Sequence, residues 1–461
     1  MSIKASYIFP HPPLIIPDVG RGQENDISAT VDACMKCAEQ ISNIKPDTII
    51  VISPHTTIYA DYFHISKGHK AFGSMARFNA YNVRMEVLYD EEMVSAISAE
   101  AFASDLPAGT EGETDKNLDH ATFIPLWFVN KFYTDYQAVR MGFSGLSPHE
   151  HYSFGKCIAR ASEALGRSTV IIASGDLSHK LTSEGPYGFA GEGPEFDRKI
   201  TSAMAKGDFL EFLSMPPSLC EKAGECGLRS FQIMSGTLDG LFVKPELLSY
   251  EGPFGVGYGV ASFKVTGTGN KRHFDEEYLS LEQDRVSKTK SNESEIVKLA
   301  RKSLEGYVNT GKHAPLPKNL SDELTQKKAG VFVSLKKHGQ LRGCIGTTSP
   351  TTESIAAEVI QNSVSAGMND PRFPSVRKNE LKDLSYSVDV LGSAEPIDSP
   401  SMLDPRRYGV IVKSGLKRGL LLPDLEGIDT AEEQIKIACS KAGIDPGEDI
   451  SLERFEVVRY K

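Results

Sequence analysis

Two domains are predicted: an N-terminal α/β domain on a largely parallel central sheet, and a smaller C-terminal α+β domain. Three observations predict this. Short apolar runs alternate with helical stripes over residues 1–265, and strands separated by helices argue for a parallel sheet. Composition then shifts: Thr266–Ser294 carries Gly267, Gly269, many charges and little apolar content, as an interdomain linker with some helical character would. From Glu295 to the end, one helix pattern is followed by a succession of β-type runs. A chain of 461 residues is also too long for a single core.

The elements follow in order. Ile3–Phe9 is a β-rich run. Ile27, Val31, Cys34, Ala38 and Ile41 form a helical stripe. Thr48–Ile52 is a short strand of the buried type. Ala138–Phe143 and Ser168–Ser174 repeat the strand signal with a helical stretch between them, and the Gly-rich run Gly255–Val265 closes the domain. In the second domain Ile296, Leu299, Ala300, Leu304 and Val308 mark a helix. Gly330–Lys336, Leu384–Val390 and Val410–Lys413 read as strands.

Three histidines stand where strands should stop. The contexts are Phe9-Pro10-His11-Pro12-Pro13, Ile52-Ser53-Pro54-His55 and Gly175-Asp176-Leu177-Ser178-His179. In an open α/β sheet, ligands bind outside the carboxyl ends of the strands. Imidazoles delivered to that edge from distant positions point to one metal or acid/base site.

Bulk properties narrow the function. The apolar fraction is 40%, the charged fraction 24% and the net charge −10. Nucleic-acid binding has no global electrostatic support. The first apolar stretch is cut by Pro10, Pro12, Pro13 and Pro17, so it is no signal peptide, and no apolar run is long enough to span a bilayer. Seven cysteines without framework spacing fit a reducing cytoplasm, which is the expected location.

Four motifs together carry a family resemblance: His11 in Pro-His-Pro-Pro-Leu; His55 in Ser-Pro-His; Leu118-Asp119-His120 followed by Pro125-Leu126; and Ser174-Gly175-Asp176-Leu177-Ser178-His179. Residues 1–265 resemble the class III extradiol ring-cleaving dioxygenases, the LigB type, to which the Memo proteins are related. The resemblance implies non-haem Fe(II) held by two histidines and a carboxylate, which leaves positions for a catechol and O2. Ring opening of a small aromatic diol would be the reaction. By match, His11 and His55 are the imidazole ligands and Glu225 the carboxylate. His179 is the acid/base and His120 lines the pocket. Asp176, behind the ligands, would fix an imidazole tautomer.

Cys226 is the alternative third ligand. A thiolate would favour Cu or Zn over iron, and Memo-type relatives look as though they place a cysteine there. Neighbours on an extended segment point opposite ways, so one of Glu225 and Cys226 faces the metal. The competing reading of the domain is a metal- or substrate-binding scaffold, Memo-like and with copper or redox character, that serves a modification pathway.

Other candidates reduce to structure. Cys34-Met35-Lys36-Cys37 lies inside a helical stripe, which suits core packing. Gly252, Gly255, Gly257 and Gly259 form no dinucleotide fingerprint. His149 and His151 flank Glu150 in a polar stretch expected at the surface, and His64 and His69 lack a partner pattern.

Leu341-Arg342-Gly343-Cys344-Ile345-Gly346, Asn369-Asp370-Pro371-Arg372-Phe373-Pro374 and Arg418-Gly419-Leu420-Leu421-Leu422-Pro423 make residues 295–461 resemble the AMMECR-one (AMMECR1) family. That family implies little mechanism. Arg342, Cys344, Asp370 and Arg372 are the candidate residues. The bland alternative is a buried Cys344 with Arg342 and Asp370 as a structural pair. The domain order resembles the AmmeMemoRadiSam grouping, which implies a radical-SAM partner on a separate chain. The fold family also suggests a homodimer.

Overall fold

The computed structural model describes residues 1–269, 271–425 and 427–461. Asn270, inside the stretch read as a linker, lies outside them. Two compact units result, Met1–Leu279 and Ser280–Lys461. The dividing point falls within a helix, Phe274–Asn292. Its first turn carries Asp275, Glu276 and Glu277 and its last carries Lys290, a charge order that complements the helix dipole.

The N-terminal unit is built on six strands: β1 (Ile3–Phe9), β2 (Thr48–Ile52), β3 (Gln137–Met141), β4 (Thr169–Ser174), β5 (Leu241–Glu251) and β6 (Tyr258–Thr268). Their order across the sheet is β3-β2-β4-β1-β6-β5. The first four are parallel neighbours, and β6 and β5 add an antiparallel edge. Every residue of β2 and β4 is buried, the signature of strands covered on both faces. Ile50, Ile52, Ile171 and Ala173 enter one core with Phe154 and Phe231, while Ile49, Val51, Val170 and Ile172 enter the other with Cys34, Cys37 and Ile124. The alternation is that of a pleated strand between two helical layers.

Two strands of this unit depart from expectation by two residues or more at an end. β3 stops at Met141, because the next amide, Gly142, donates to His64 O instead of continuing the ladder. The Gly-rich strand runs Tyr258–Thr268, three residues later than its sequence pattern suggests.

The register puts the strand exits level. Phe9 pairs with Ser174, and Ile52 pairs with Ala173. Because β2, β4 and β1 are adjacent, the segments that leave them share one edge of the sheet.

The C-terminal unit has an antiparallel sheet: β7 (Val331–Lys337), β8 (Gln340–Gly346), β9 (Leu384–Leu391), β10 (Glu395–Ile397), β11 (Tyr408–Ser414), β12 (Lys417–Leu421) and β13 (Ser451–Tyr460). The order is β8-β7-β9-β13-β11-β12, with β10 also on β13. The helices Glu295–Thr310 and Ile355–Met368 cover one part of it and Ala431–Ala442 another. His338 and Gly339 both have positive φ, as a two-residue hairpin turn requires, so the Leu-Arg-Gly-Cys-Ile-Gly run is itself an edge strand. No helix among the described residues is long and apolar enough to cross a membrane.

Candidate metal centre

His11 follows β1 directly. Its backbone N–H donates to Asp176 Oδ1 at 2.8 Å, which ties the exit of β1 to the exit of β4. Its ring Nδ1 lies 3.0 Å from Ser174 Oγ. With a proton on Nδ1 donated to that hydroxyl, Nε2 presents its lone pair to the centre. His55 is held by a turn in which its amide donates to Ser53 Oγ, 3.1 Å away. The same hydroxyl donates to Asp119 Oδ1 at 2.6 Å. Asp119 also caps the helix His120–Val129 through Thr122 N–H. One carboxylate therefore sets both His55 and His120, whose rings stack 4.4 Å apart.

The third strand exit brings in Cys226. A Cβ on Gly175 would lie 2.1 Å from the Cα of Gly227, so the two segments meet this closely only because position 175 is glycine. In that contact Asp176 N–H donates to Cys226 Sγ at 3.3 Å.

The result is a three-donor cluster. His11 Nε2 and His55 Nε2 are 3.1 Å apart, and Cys226 Sγ is 3.7 Å from His11 Nε2. All three donor atoms lie within 4.8 Å of one another. An ion with bonds of about 2.0 Å to nitrogen and about 2.3 Å to sulfur in tetrahedral array needs separations of roughly 3.3 and 3.6 Å. The donors fit. His11 is buried, Cys226 half-buried and His55 open to solvent, so the centre is reachable from one side.

Burial sets the charge states without a cation. It holds His11 and His179 below the ordinary histidine range and takes His120 down to about 4. Neutral imidazoles are the form that ligates. Burial raises Asp176 to about 7 and pushes the Cys226 thiol up. A bound cation would reverse the direction at sulfur.

His179 flanks the cluster. Its amide donates to Ala223 O, its ring lies 5.1 Å from that of Tyr187, and its buried Nε2 has no hydrogen-bond partner among the described residues.

Three expectations are corrected. Glu225 is not with the histidines: its Oε2 accepts from Leu228 N–H at 2.7 Å, at the start of the helix Leu228–Thr237, while its neighbour Cys226 points to the centre. Asp176 does not fix an imidazole tautomer; it binds the His11 backbone, and Ser174 serves the ring. His151 is fully buried, with Nδ1 2.9 Å from Ser147 O, rather than at the surface. Ser174 and Asp119 escaped the assignment of roles although both stand in the quoted motifs. The signal for Asp119 was an N-cap residue immediately before an apolar run.

In the C-terminal unit the candidates are engaged with one another. Arg342 pairs through two bonds of 3.0 Å with Glu380, not with Asp370. Asp370 accepts from Arg372 Nε and Nη2 and from Cys344 N–H, at 2.7–2.9 Å. Arg372 returns a bond to Cys344 O. Asp370 and Arg372 thus occupy the free backbone groups of an edge strand. Cys344 is half-buried and accepts from Ser334 Oγ at 3.2 Å.

Fold and centre define an α/β protein with a candidate metal site, its donors at the carboxyl edge of a parallel sheet. Residues 5–261 match the family described as the catalytic LigB subunit of aromatic ring-opening dioxygenase, and residues 297–461 match AMMECR1. Protein CA_C1420 of Clostridium acetobutylicum is 42% identical over 469 residues and covers all of both chains. A Thermotoga maritima protein is 48% identical over 171 residues, 37% of this chain and 98% of its own. The solved structure of the uncharacterized protein PH0010 from Pyrococcus horikoshii is 34% identical over 36% of this chain and 88% of its own, with a TM-score of 0.33. The chain belongs to the LigB family and carries an AMMECR1 domain after it.

Proposed function

We propose that the LigB domain is a metal-dependent enzyme whose His11, His55 and Cys226 hold a soft ion, Zn(II) or copper, rather than the Fe(II) of the ordinary catechol dioxygenases. The observation that carries this is the third donor: a thiol faces the two imidazoles while the adjacent carboxylate caps a helix. Two nitrogens and a sulfur suit Zn and Cu(I), whereas hard carboxylate sets suit Fe(II). When bound, such an ion supplies Lewis-acid polarisation of a small oxygen-bearing ligand, and copper adds redox capacity.

The protein's own residues do the rest. Ser174 holds the His11 ring in the ligating tautomer. Asp119 fixes His55 and His120 together. His179, kept neutral by burial, presents an unpartnered Nε2 that accepts a proton from a ligand and returns it.

A second reading is supported by the LigB match: oxidative ring opening of a catechol with O2 on Fe(II). The separating experiment is anaerobic loading with equal Fe(II), Zn(II) and Cu(I), metal analysis by mass spectrometry, then oxygen uptake across a catechol panel. Selective retention of Zn or Cu without oxygen uptake supports the first reading. Selective iron retention with catechol-dependent uptake supports the second. A scaffold role beside a separate radical-SAM protein predicts co-purification of the two from cells.

A further inference from the structure

We propose that the strap 110–117 is a latch on the candidate metal centre, closed when Glu113 inserts beside the buried Arg140, and that these two residues position the His55/His120 half of the site. The proposal rests on the reading of that centre as a metal site. Neither residue stands in the motifs.

The residues of the centre fall into two halves. His11 and Cys226 are both bonded to Asp176, one through its backbone N–H and the other through its thiol. His55 and His120 depend instead on Asp119, the first through Ser53 and the second through the helix cap at Thr122. Whatever places Asp119 therefore places one nitrogen donor of the three. The chain reaches Asp119 through the strap, which has no helix or strand of its own.

Side chains from two places tie the strap down. The first is β3. Its Arg140, 1% exposed, donates from Nε to Ser66 Oγ at 2.8 Å and from Nη2 to Asp115 O and Glu113 Oε1, both at 2.7 Å; Nη1 donates to Asn117 O. The second is the segment that follows His55. Thr57 Oγ1 accepts from Thr114 N–H at 3.3 Å and lies 3.0 Å from the Thr114 hydroxyl. Tyr59 Oη donates to Gly112 O, and His64 Nδ1 lies 3.0 Å from Glu111 O. Asn117 is two residues before Asp119, and Thr57 is two residues after His55. Between Asn117 and Asp119, Leu118 adds one bond, to Phe72 O.

Glu113 is the key of this arrangement. Most of the strap is exposed, yet the Glu113 side chain is 3% exposed. A carboxylate that deep is stable only against its guanidinium, so the pair fixes the strap in one place. The socket is not saturated. Glu113 Oε2 and His64 Nε2 are buried without a hydrogen-bond partner among the described residues, and His64 Nε2 is 3.9 Å from Glu113 Oε1. With the His64 proton on Nδ1, toward Glu111 O, both orphans are acceptors. Two unpaired acceptors oppose closure, and water satisfies them once the strap lifts. The latch therefore releases at smaller cost than a saturated pair. Release loosens His55 and His120 while His11 and Cys226 keep their hold on Asp176.

The test compares full-length wild type with Glu113→Gln, Thr114→Ala and a control, Lys116→Gln, which changes an exposed charge in the same strap. Hydrogen exchange is followed by mass spectrometry on metal-free protein. Zn(II) affinity is read by competition with a chelator, and Co(II)-loaded samples give visible spectra. Glu113→Gln should speed exchange over residues 110–120 by roughly tenfold, the worth of one bond to a charged group, with residues 170–180 unaltered. Zinc affinity should fall by roughly 10–100-fold, the range for a residue behind the ligands. The thiolate-to-cobalt band should persist while the d–d bands weaken, because Cys226 stays and His55 is loosened. Thr114→Ala trims an exposed tether and spares the core; it should move exchange and affinity the same way by a smaller factor. Lys116→Gln should move neither. Unchanged exchange over residues 110–120 in both Glu113→Gln and Thr114→Ala overturns the proposal. Acceleration spread evenly over the LigB unit overturns it too, as does unchanged zinc affinity beside a loosened strap. If wild-type protein takes up no metal, the metal reading falls, and the exchange arm alone judges the latch.

Discussion

The two units treat their chemistry-bearing residues in opposite ways. In the LigB unit, His11 Nε2, His55 Nε2 and Cys226 Sγ converge with donor atoms facing one another, and His179 Nε2 is buried without a hydrogen-bond partner among the described residues. In the AMMECR1 unit, Arg342, Asp370 and Arg372 are spent on neighbours: Arg342 on Glu380, and Asp370 and Arg372 on each other and on the backbone of Cys344. Polar groups left uncompensated cost stability unless something occupies the space between them, whereas paired ones hold the fold together. The first arrangement leaves its donors facing one another, as a ligand site would. The second fastens an edge strand.

That contrast is broken first at the centre. His11→Ala should abolish stoichiometric metal binding, while Cys344→Ser should leave the metal content of the same chain unaltered; mass spectrometry of purified protein decides. Equal loss in both would erase the distinction.

Next in size is Asp370→Asn. It removes the charge that two guanidinium nitrogens and the Cys344 amide bind, and about 2–3 kcal/mol of stability should go with it. Calorimetric melting of the full chain should show the change without loss of metal. The pH dependence has a definite sign. Arg342, after the opposing effect of burial, lowers Glu380 to about 2, and Arg372 holds Asp370 below the ordinary range. Their stabilisation is complete above the unfolded values near 4 and is lost as pH falls toward 2. Melting at pH 3 should fall below that at pH 6, and Glu380→Gln should flatten the slope.

Gly175→Ala comes third, because its Cβ would meet Gly227 at 2.1 Å. Overpacking of this kind costs about 1–3 kcal/mol. Here it should also weaken metal retention by displacing Cys226. The smallest effect is expected from Glu225→Gln: roughly 1 kcal/mol for a weakened helix cap, with metal retained. Loss of metal in that variant would restore the carboxylate as ligand.

Much of the site was legible because strand exits are legible. Buried apolar runs end abruptly at Pro10-His11 and Pro54-His55, and parallel topology then forces those ends to one edge. The third donor was not legible. Glu225 and Cys226 are adjacent, and which one turns inward depends on Leu228 N–H capturing the carboxylate and Asp176 N–H capturing the thiol. The second of these partners lies 50 residues away in the chain. Arg342 was mispaired for a similar reason: Glu380 is 38 residues off and reaches it only once the sheet forms. His151 looked superficial from its polar neighbours, yet it sits one helical turn past the cap at Ser147 and faces inward. The two-layered sheet needed only local periodicity, and so it was foreseen.

The meeting of Gly175 with Gly227 has a thermodynamic corollary. Cys226 and His11 are 215 residues apart, so an ion bridging them closes almost the whole LigB unit into a loop. A crosslink over so long a span cannot form in a partly folded chain without a large entropic cost. If the proposed ion binds, it would bind the finished fold and act as a late staple on it. At a concentration a hundredfold above its dissociation constant, such a ligand raises unfolding free energy by about 2.7 kcal/mol. The melting temperature of this unit should therefore rise with available metal, and would serve as a gauge of it.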